Sequence, residues 1–314
     1  MKIAVAGYGR LGKAIADTVS FYPDIELEYI FSRREGNEKT YRGVKILPFS
    51  IIEEFCESVD CLIISQGSAT DLPKNAPRLA SLFNTVDGYD IHAAIPEYLT
   101  KMNEAACRGN RLSLVASGWD PGFFSVMRMY YAAFMPCAEC ATFWGEGISQ
   151  GHSEAIRRIN GVIDAVQYTV PDEREREKAL RGEKIGSQIS HKRICYVASE
   201  PGREAYIEDE IRNMEGYFKG YHTEIYFTDP DDVKMRTAAL CHGGEVIAAE
   251  WRDGNITSAD IRLRLASNPH FTAKILLASA RAVCRMNCEG RIGAVTLGDV
   301  PPRMLLLESV DKYI

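Results

Sequence analysis

Six residues near the N-terminus, Gly7-Tyr8-Gly9-Arg10-Leu11-Gly12, have the spacing G-x-G-x-x-G. Glycine at the first position permits a tight turn, at the second lets a pyrophosphate approach the backbone, and at the third lets a helix lie close to a strand. The N-terminus of that helix then presents free N–H groups to the phosphates. A dinucleotide site is therefore expected at Gly7, Tyr8, Gly9, Arg10, Leu11 and Gly12. About 20 residues further on, an NAD site carries Asp or Glu for the ribose hydroxyls. Here the chain reads Ser32-Arg33-Arg34, with no carboxylate until Glu35. A hydroxyl and two guanidiniums suit a 2′-phosphate, so the expected cofactor is NADP. Ser68, Ala69 and Thr70 follow an apolar strand and reach the same edge, as part of the site or as an ordinary turn.

Two carboxylates hold the second chemical signal. Asp90 follows a strand ending in Val86, and Asp120 follows one ending in Ala116. Both fall at the carboxyl edge of a parallel sheet, where doubly wound folds bind ligands. Singly, each reads as a turn or cap residue. Together, beside Tyr89 and Trp119, they suit an ammonium group, which needs acceptors and a negative field. Cys137-Ala-Glu-Cys140 lacks a second pair at zinc-site spacing, and no metal is expected. His152 sits in Ser149-Gln-Gly-His-Ser153, where capping a helix over Glu154–Ile159 competes with a substrate role. Asp172 to Lys178 mixes charge signs at helical spacing and reads as a solvated face.

Positioning these groups requires alternating strands and helices. Lys2 to Ala6, Ile25 to Phe31, Val59 to Ser65, Phe83 to Val86 and Leu112 to Ala116 read as buried strands, and Ile95 to Arg108 as a helix. This predicts an α/β fold with a doubly wound, Rossmann-type parallel sheet. Beyond Gly118-Trp-Asp-Pro-Gly122 the pattern changes. Thr142–Trp144, Ala165–Val170, Arg193–Ala198 and Thr223–Thr228 read as strands, with helices at Glu173–Arg181 and Arg203–Met214. Asp253-Gly254-Asn255 marks a hairpin between Val246–Arg252 and Ile256–Leu265. A second, α+β domain with a mixed, largely antiparallel sheet is expected. Phe271 to Met286 reads as a closing helix, with Met304 to Leu307 packed on the first domain. The expected domains are 1–118 with 268–314, for dinucleotide binding, and 119–267, for substrate binding. No flexible linker separates them, so close packing around a cleft is expected.

The 314 residues carry a net charge of −6, with 46% hydrophobic and 25% charged residues. These values are those of an ordinary globular protein. The mild acidity argues against a nucleic-acid partner. No apolar run nears the roughly 18 residues of a membrane span. Nine cysteines spread along the chain suggest reduced thiols and a cytoplasmic location.

The strings GYGRLG, FSRR, GSAT, TVDGYD, SGWDPG, TFWGEGISQGHS, VQYTVP, HKRICYV, HGGE and NPHFTA occur in this order. In content and spacing they resemble the NADP-dependent meso-diaminopimelate dehydrogenase family over essentially the whole chain. The resemblance implies oxidative deamination of the D-centre of meso-2,6-diaminopimelate to L-2-amino-6-oxopimelate, ammonia and NADPH, by a homodimer without metal. It matches Asp90 and Asp120 to the carboxylates holding the reacting amino group. Trp119, Trp144, Gln150 and Gly151 match residues lining that pocket. Thr169, Arg193, His242 and Asn268 match the polar cluster at the far end. Alone, Arg193 in His191-Lys192-Arg193 reads as a surface charge, His242 as a half-buried histidine and Trp144 as core. Which carboxylate is the base, if either, stays open. Two other readings keep the cofactor: an NADP-dependent imine or semialdehyde reductase, and a non-catalytic NADP-binding redox sensor. The Thr169, Arg193 and His242 cluster argues against substrates lacking a second charged end, and a sensor leaves the paired carboxylates unexplained.

Overall fold

The computed structural model describes residues 1–33, 39–186, 190–238 and 242–314. In chain order the first elements are β1 (Lys2–Ala6), α1 (Arg10–Thr18), β2 (Glu26–Ser32), β3 (Thr40–Tyr41), β4 (Val44–Pro48), β5 (Cys61–Ile64), α2 (Asp71–Ala80), β6 (Thr85–Asp87), α3 (Ile95–Arg108), β7 (Leu112–Leu114) and α4 (Phe123–Phe134). Then come β8 (Glu139–Trp144), β9 (Gly147–Ile148), α5 (Gln150–Arg157), β10 (Val162–Pro171), α6 (Glu173–Leu180), β11 (His191–Ser199), α7 (Glu204–Asn213), β12 (His222–Phe227) and α8 (Pro230–Ala238). The chain closes with β13 (His242–Arg252), β14 (Asn255–Leu265), α9 (Asn268–Cys288), β15 (Gly293–Val295) and α10 (Pro302–Leu305).

The chain forms two compact units, Met1–Val126 with Pro269–Ile314, and Met127–Asn268. In the first, eight strands lie in the order β15-β7-β6-β5-β1-β2-β4-β3. All neighbours are parallel except the β3–β4 edge hairpin, which the sequence pattern did not reveal. Successive side chains of a strand face opposite sides. Ile3 and Val5 accordingly pack with α1 and α9, while Ala4 and Ala6 pack with α2 and α3. Both faces are covered, so β1 reads as one apolar run rather than an alternation. Arg281 on α9 is 4% exposed and pairs with both oxygens of Asp24, at 2.5 and 2.7 Å. Its Nη1 also donates to the Leu305 carbonyl at 2.7 Å, and Met304 joins the core beside α9.

The second unit holds two sheets where one was expected. β12-β11-β10-β9 forms one and β14-β13-β8 the other. Every pair is antiparallel except β11–β12. The hairpin turns at Asp253 and Gly254, whose φ values of +52° and +80° fit a two-residue turn. α5 and α7 cover one face of the four-stranded sheet and α8 the other. The two sheets are tied where β8 ends: the Trp144 N–H donates to His191 Nε2 of β11 at 2.7 Å, while the next residue stays with its own sheet, the Gly145 N–H donating to the Gly243 carbonyl of β13 at 2.8 Å. Among the described residues no helix is long and apolar enough to cross a membrane.

Candidate active site

The glycine loop leaves β1 and enters α1. Gly7 has φ +131°, and a Cβ there would meet the Ser65 hydroxyl at 2.7 Å. A Cβ on Gly12 would sit 2.0 Å from the Gly7 carbonyl oxygen. These two glycines are required by the protein's own packing. Gly9 differs, because a Cβ there meets nothing within 4 Å among the described residues. Its open side borders a cavity of about 210 Å³ lined by Tyr8, Ser32, Arg33, Ser65 and Gly67. α1 starts at this cavity with no side-chain cap and no acidic residue in its first turn, so its free N–H groups are available to phosphate. The loop therefore fits a dinucleotide. Leu11 packs against the core, and Tyr8 stands edge-on to Tyr41 with the Lys13 ammonium 4.6 Å from its ring centre. Arg10 opens α1. Arg33 forms a bidentate pair with Asp71, at 2.8 and 2.5 Å, on the cavity rim. Arg34 lies outside the described residues. Thr70 precedes α2 and Ala69 lies one residue before it, while Ser68 Oγ accepts from the Asp90 backbone N–H at 3.2 Å.

Asp90 and Asp120 stand on loops after β6 and β7. Between those loops lies Asp87, fully buried. Its Oδ1 accepts from the Tyr89 N–H at 3.0 Å and the Ala116 N–H at 3.2 Å, and its Oδ2 from the Tyr98 hydroxyl at 2.8 Å. Burial raises its pKa to about 6, against the pull of these three donors. The Ser117 N–H donates to the Asp87 carbonyl at 2.8 Å, and Ala116 has φ +54°. Asp90 is exposed and Asp120 half-buried. Tyr89 and Trp119 turn inward rather than forming an open wall. Tyr89 is 3% exposed and stacks on Tyr98, while Trp119 is 8% exposed and meets Phe124 edge-on.

In the second unit, Thr169 on β10 pairs directly with Arg193 on β11. Arg193 Nη1 donates to Thr169 Oγ1 at 3.0 Å, and its guanidinium lies 4.3 Å from the Tyr221 ring centre. Its Nε is buried without a partner, and no carboxylate pairs with it among the described residues. Burial without a counter-charge lowers its pKa. Flanking it are two histidines. His191 accepts from the Trp144 N–H, which leaves its ring proton on Nδ1, 2.7 Å from Ser190 Oγ. His152 meets Ser149 Oγ at 2.7 Å through Nδ1. Burial first, then the Arg193 charge, pushes both down to about 4, so both rings are neutral. Ser149 also caps α5.

Trp144 is 37% exposed and stacks on His191 at 5.3 Å. Gln150 and Gly151 open α5, and the Gln150 side chain lies outside the described residues. His242 lines a cavity of about 680 Å³ with Gly145, Glu146 and Val170. The Gly243 N–H donates to its Nδ1 at 2.7 Å, and burial lowers its pKa. Asn268 is the first residue of α9. The described residues contain no cluster of three metal-ligating side chains.

Sequence reasoning missed Asp87, His191, Tyr221 and Asp71. A carboxylate ending the apolar strand Thr-Val-Asp was a usable signal for Asp87. Tyr221 carried none, since only the fold brings it over Arg193.

The family model for the diaminopimelic acid dehydrogenase C-terminal domain matches residues 118–267. A meso-diaminopimelate D-dehydrogenase of Corynebacterium glutamicum is 40% identical over 317 residues, covering 100% of this chain and 98% of that one. One from Ureibacillus thermosphaericus is 38% identical, covering 96% and 94%. The solved C. glutamicum DAP dehydrogenase in complex with DAP aligns with a TM-score of 0.93 at 40% identity, over 99% of this chain and 97% of that one. An engineered D-amino acid dehydrogenase bound to NADP+ aligns with a TM-score of 0.89 at 38% identity, over 99% and 98%. With relatives this similar over its whole length, and a glycine loop built for a dinucleotide, the chain belongs to the diaminopimelate dehydrogenase family.

Proposed function

We propose that the protein is an NADP-dependent meso-diaminopimelate D-dehydrogenase of lysine and diaminopimelate biosynthesis. It converts meso-2,6-diaminopimelate, NADP+ and water into L-2-amino-6-oxopimelate, ammonia, NADPH and a proton. Gly7, Tyr8, Gly9, Arg10, Leu11 and Gly12 hold the dinucleotide with Ser68, Ala69 and Thr70, and Ser32, Arg33 and Arg34 meet its 2′-phosphate. When bound, the nicotinamide supplies the hydride acceptor. Asp90 and Asp120 accept hydrogen bonds from the reacting ammonium, and one of them removes the proton that must leave before the carbon is oxidised. Trp119, Trp144, Gln150 and Gly151 line that end. Water hydrolyses the resulting imine.

The observation that carries this reading is Arg193. A guanidinium with a buried, unpartnered Nε and no carboxylate beside it among the described residues lacks the counter-charge that buried cations keep. The distal carboxylate of the substrate supplies that charge, with a hydrogen bond from Thr169. Thr169 Oγ1 already accepts from Arg193 and from Gln167 Nε2, which leaves its hydroxyl proton to donate. His242 and Asn268 complete this end.

We further propose a cytoplasmic homodimer whose domains are 1–118 with 268–314 and 119–267. The exposed Met129, Tyr130 and Phe134 on α4, at 51%, 40% and 76%, support an association surface. Size-exclusion chromatography with light scattering tests the dimer. The activity is tested by near-ultraviolet absorbance of reduced nicotinamide with NADP+ and meso-diaminopimelate. Reduction with the meso isomer and none with the L,L isomer is expected. No reaction, or equal reaction with both, would reject the assignment.

A further inference from the structure

We propose that Asp87 is a positioning residue for the reacting end of the substrate, fixing the loop that carries Asp90 against the loop that carries Asp120. The inference rests on the assignment of those two carboxylates to the reacting ammonium. One oxygen of Asp87 serves both loops: Oδ1 takes the N–H of Tyr89, next to Asp90, and the N–H of Ala116, four residues before Asp120. The Asp87 carbonyl takes the Ser117 N–H as well, so side chain and main chain together hold the start of the second loop.

Three features separate this arrangement from an ordinary strand end. Asp87 is 0% exposed, and no cation pairs with it among the described residues. A carboxylate in that setting persists only where it is fully hydrogen-bonded. Its rotation is fixed from a third element, because Tyr98 of α3 donates to Oδ2 and its ring stacks on Tyr89 at 4.1 Å. Ala116 is held at φ +54°, a left-handed conformation that a non-glycine residue keeps only when its surroundings impose it. The Asp87 bond to the Ala116 N–H is one such restraint, at the residue where the chain turns toward Asp120. Ser68 restrains the Asp90 N–H from the other side.

The test uses the full chain with Asp87→Ala and Asp87→Asn, beside Asp90→Asn and Asp120→Asn. Asn keeps Oδ1 for both amides, and its Nδ2 can donate to the Tyr98 oxygen. Asp87→Ala is expected to lower kcat on meso-diaminopimelate by about 100-fold, the scale of a misplacement near 1 Å. NADP+ affinity, read by fluorescence titration, should stay within about threefold, and Asp87→Asn should recover most of kcat. If Asp87→Ala does not fold, Asp87→Ser carries the same comparison. Wild-type kcat in the truncated variant overturns the inference. So does a kcat loss matched by an equal loss of NADP+ affinity, which would mean a merely structural role. So does an Asn variant as impaired as the Ala variant, since charge rather than position would then matter. Inactive Asp90→Asn and Asp120→Asn beside an active Asp87→Ala would refute Asp87 alone. Full activity in those two variants would overturn the carboxylate assignment and this inference with it.

Discussion

On the proposed reading, Arg193 sets the specificity of the protein. Its guanidinium has Thr169 and Tyr221 as neighbours and no anion among the described residues. If it holds the distal carboxylate as proposed, replacing it with Met leaves that buried charge unpaired, which costs a few kcal/mol. Steady-state kinetics of Arg193→Met should therefore show kcat/KM for meso-diaminopimelate falling by about 100-fold or more. A D-amino acid with a bulky apolar side chain brings no carboxylate to that place. For such a substrate the change removes a desolvated cation and opens apolar volume, so its kcat/KM should hold or rise. A parallel fall on both substrates would show that Arg193 supports the fold or the reacting centre. The residue was legible in the sequence only through its surrounding motif. By itself, a third basic-looking position in His-Lys-Arg gives no sign that the pleat turns it inward beside Thr169.

Among the elements, the loop from β1 to α1 separates two kinds of glycine. Gly9 has φ −91°, open to any residue, and empty space where a Cβ would point. Gly9→Ala should keep the melting temperature within a few degrees while weakening NADP+ at least about tenfold, because the methyl occupies the phosphate side of the loop. Gly12→Ala instead drives a methyl into the Gly7 carbonyl oxygen and should destabilise the fold by about 1–3 kcal/mol or more. Thermal melts and titrations of both variants check this, and equal melting temperatures would refute the distinction. β11 gives a pH dependence. The folded His191 titrates near 4 against an ordinary 6.5, so its contribution is complete above 6.5 and is lost as pH falls toward 4. A shift of that size corresponds to about 3 kcal/mol. Asp87 acts in the opposite sense, since its raised pKa near 6 makes acidification through that range favourable. Comparing two chains cancels that second effect. His191→Gln keeps an acceptor for the Trp144 N–H and cannot titrate, so its melting temperature should fall less than the wild type's between pH 7 and 5. Parallel curves would show that His191 does not carry the loss.

At the scale of the whole chain, the first unit is discontinuous, built from Met1–Val126 and Pro269–Ile314. Its sheet is closed at one edge by β15, and one face of its core is covered by α9. Arg281 joins the two segments through Asp24, a pairing 257 residues apart in sequence, and holds the tail through the Leu305 carbonyl. Arg281→Ala leaves that carboxylate without its fork and removes a nearly buried cation from between the segments. A loss of about 3–5 kcal/mol is expected, read as a lower midpoint in chemical denaturation with NADP+ absent. An unchanged midpoint would mean that apolar contacts of α9 alone hold the segments together.

Composition, glycine spacing and apolar runs determined the dinucleotide loop, the parallel strands around it and the hairpin at Asp253-Gly254. Each depends on chemistry within a few neighbouring residues: a turn that only glycine fits, a strand buried on both faces, a pair of positive φ values. α3 was legible to the residue, from Ile95 to Arg108, because its apolar spacing and its following glycine are both local. α4 was not, since a run of Phe, Met, Tyr and Ala shows no polar face to mark a period. Nor was the division of the second unit into two sheets, because strand pairing is decided by partners far along the chain. The same reason hid Asp87 behind Asp90 and Asp120, paired Arg33 with Asp71, and set Tyr221 over Arg193. Residue type and spacing state which chemistry is available. Only long-range packing decides which carboxylate is buried, which is exposed, and which guanidinium meets no anion among the described residues.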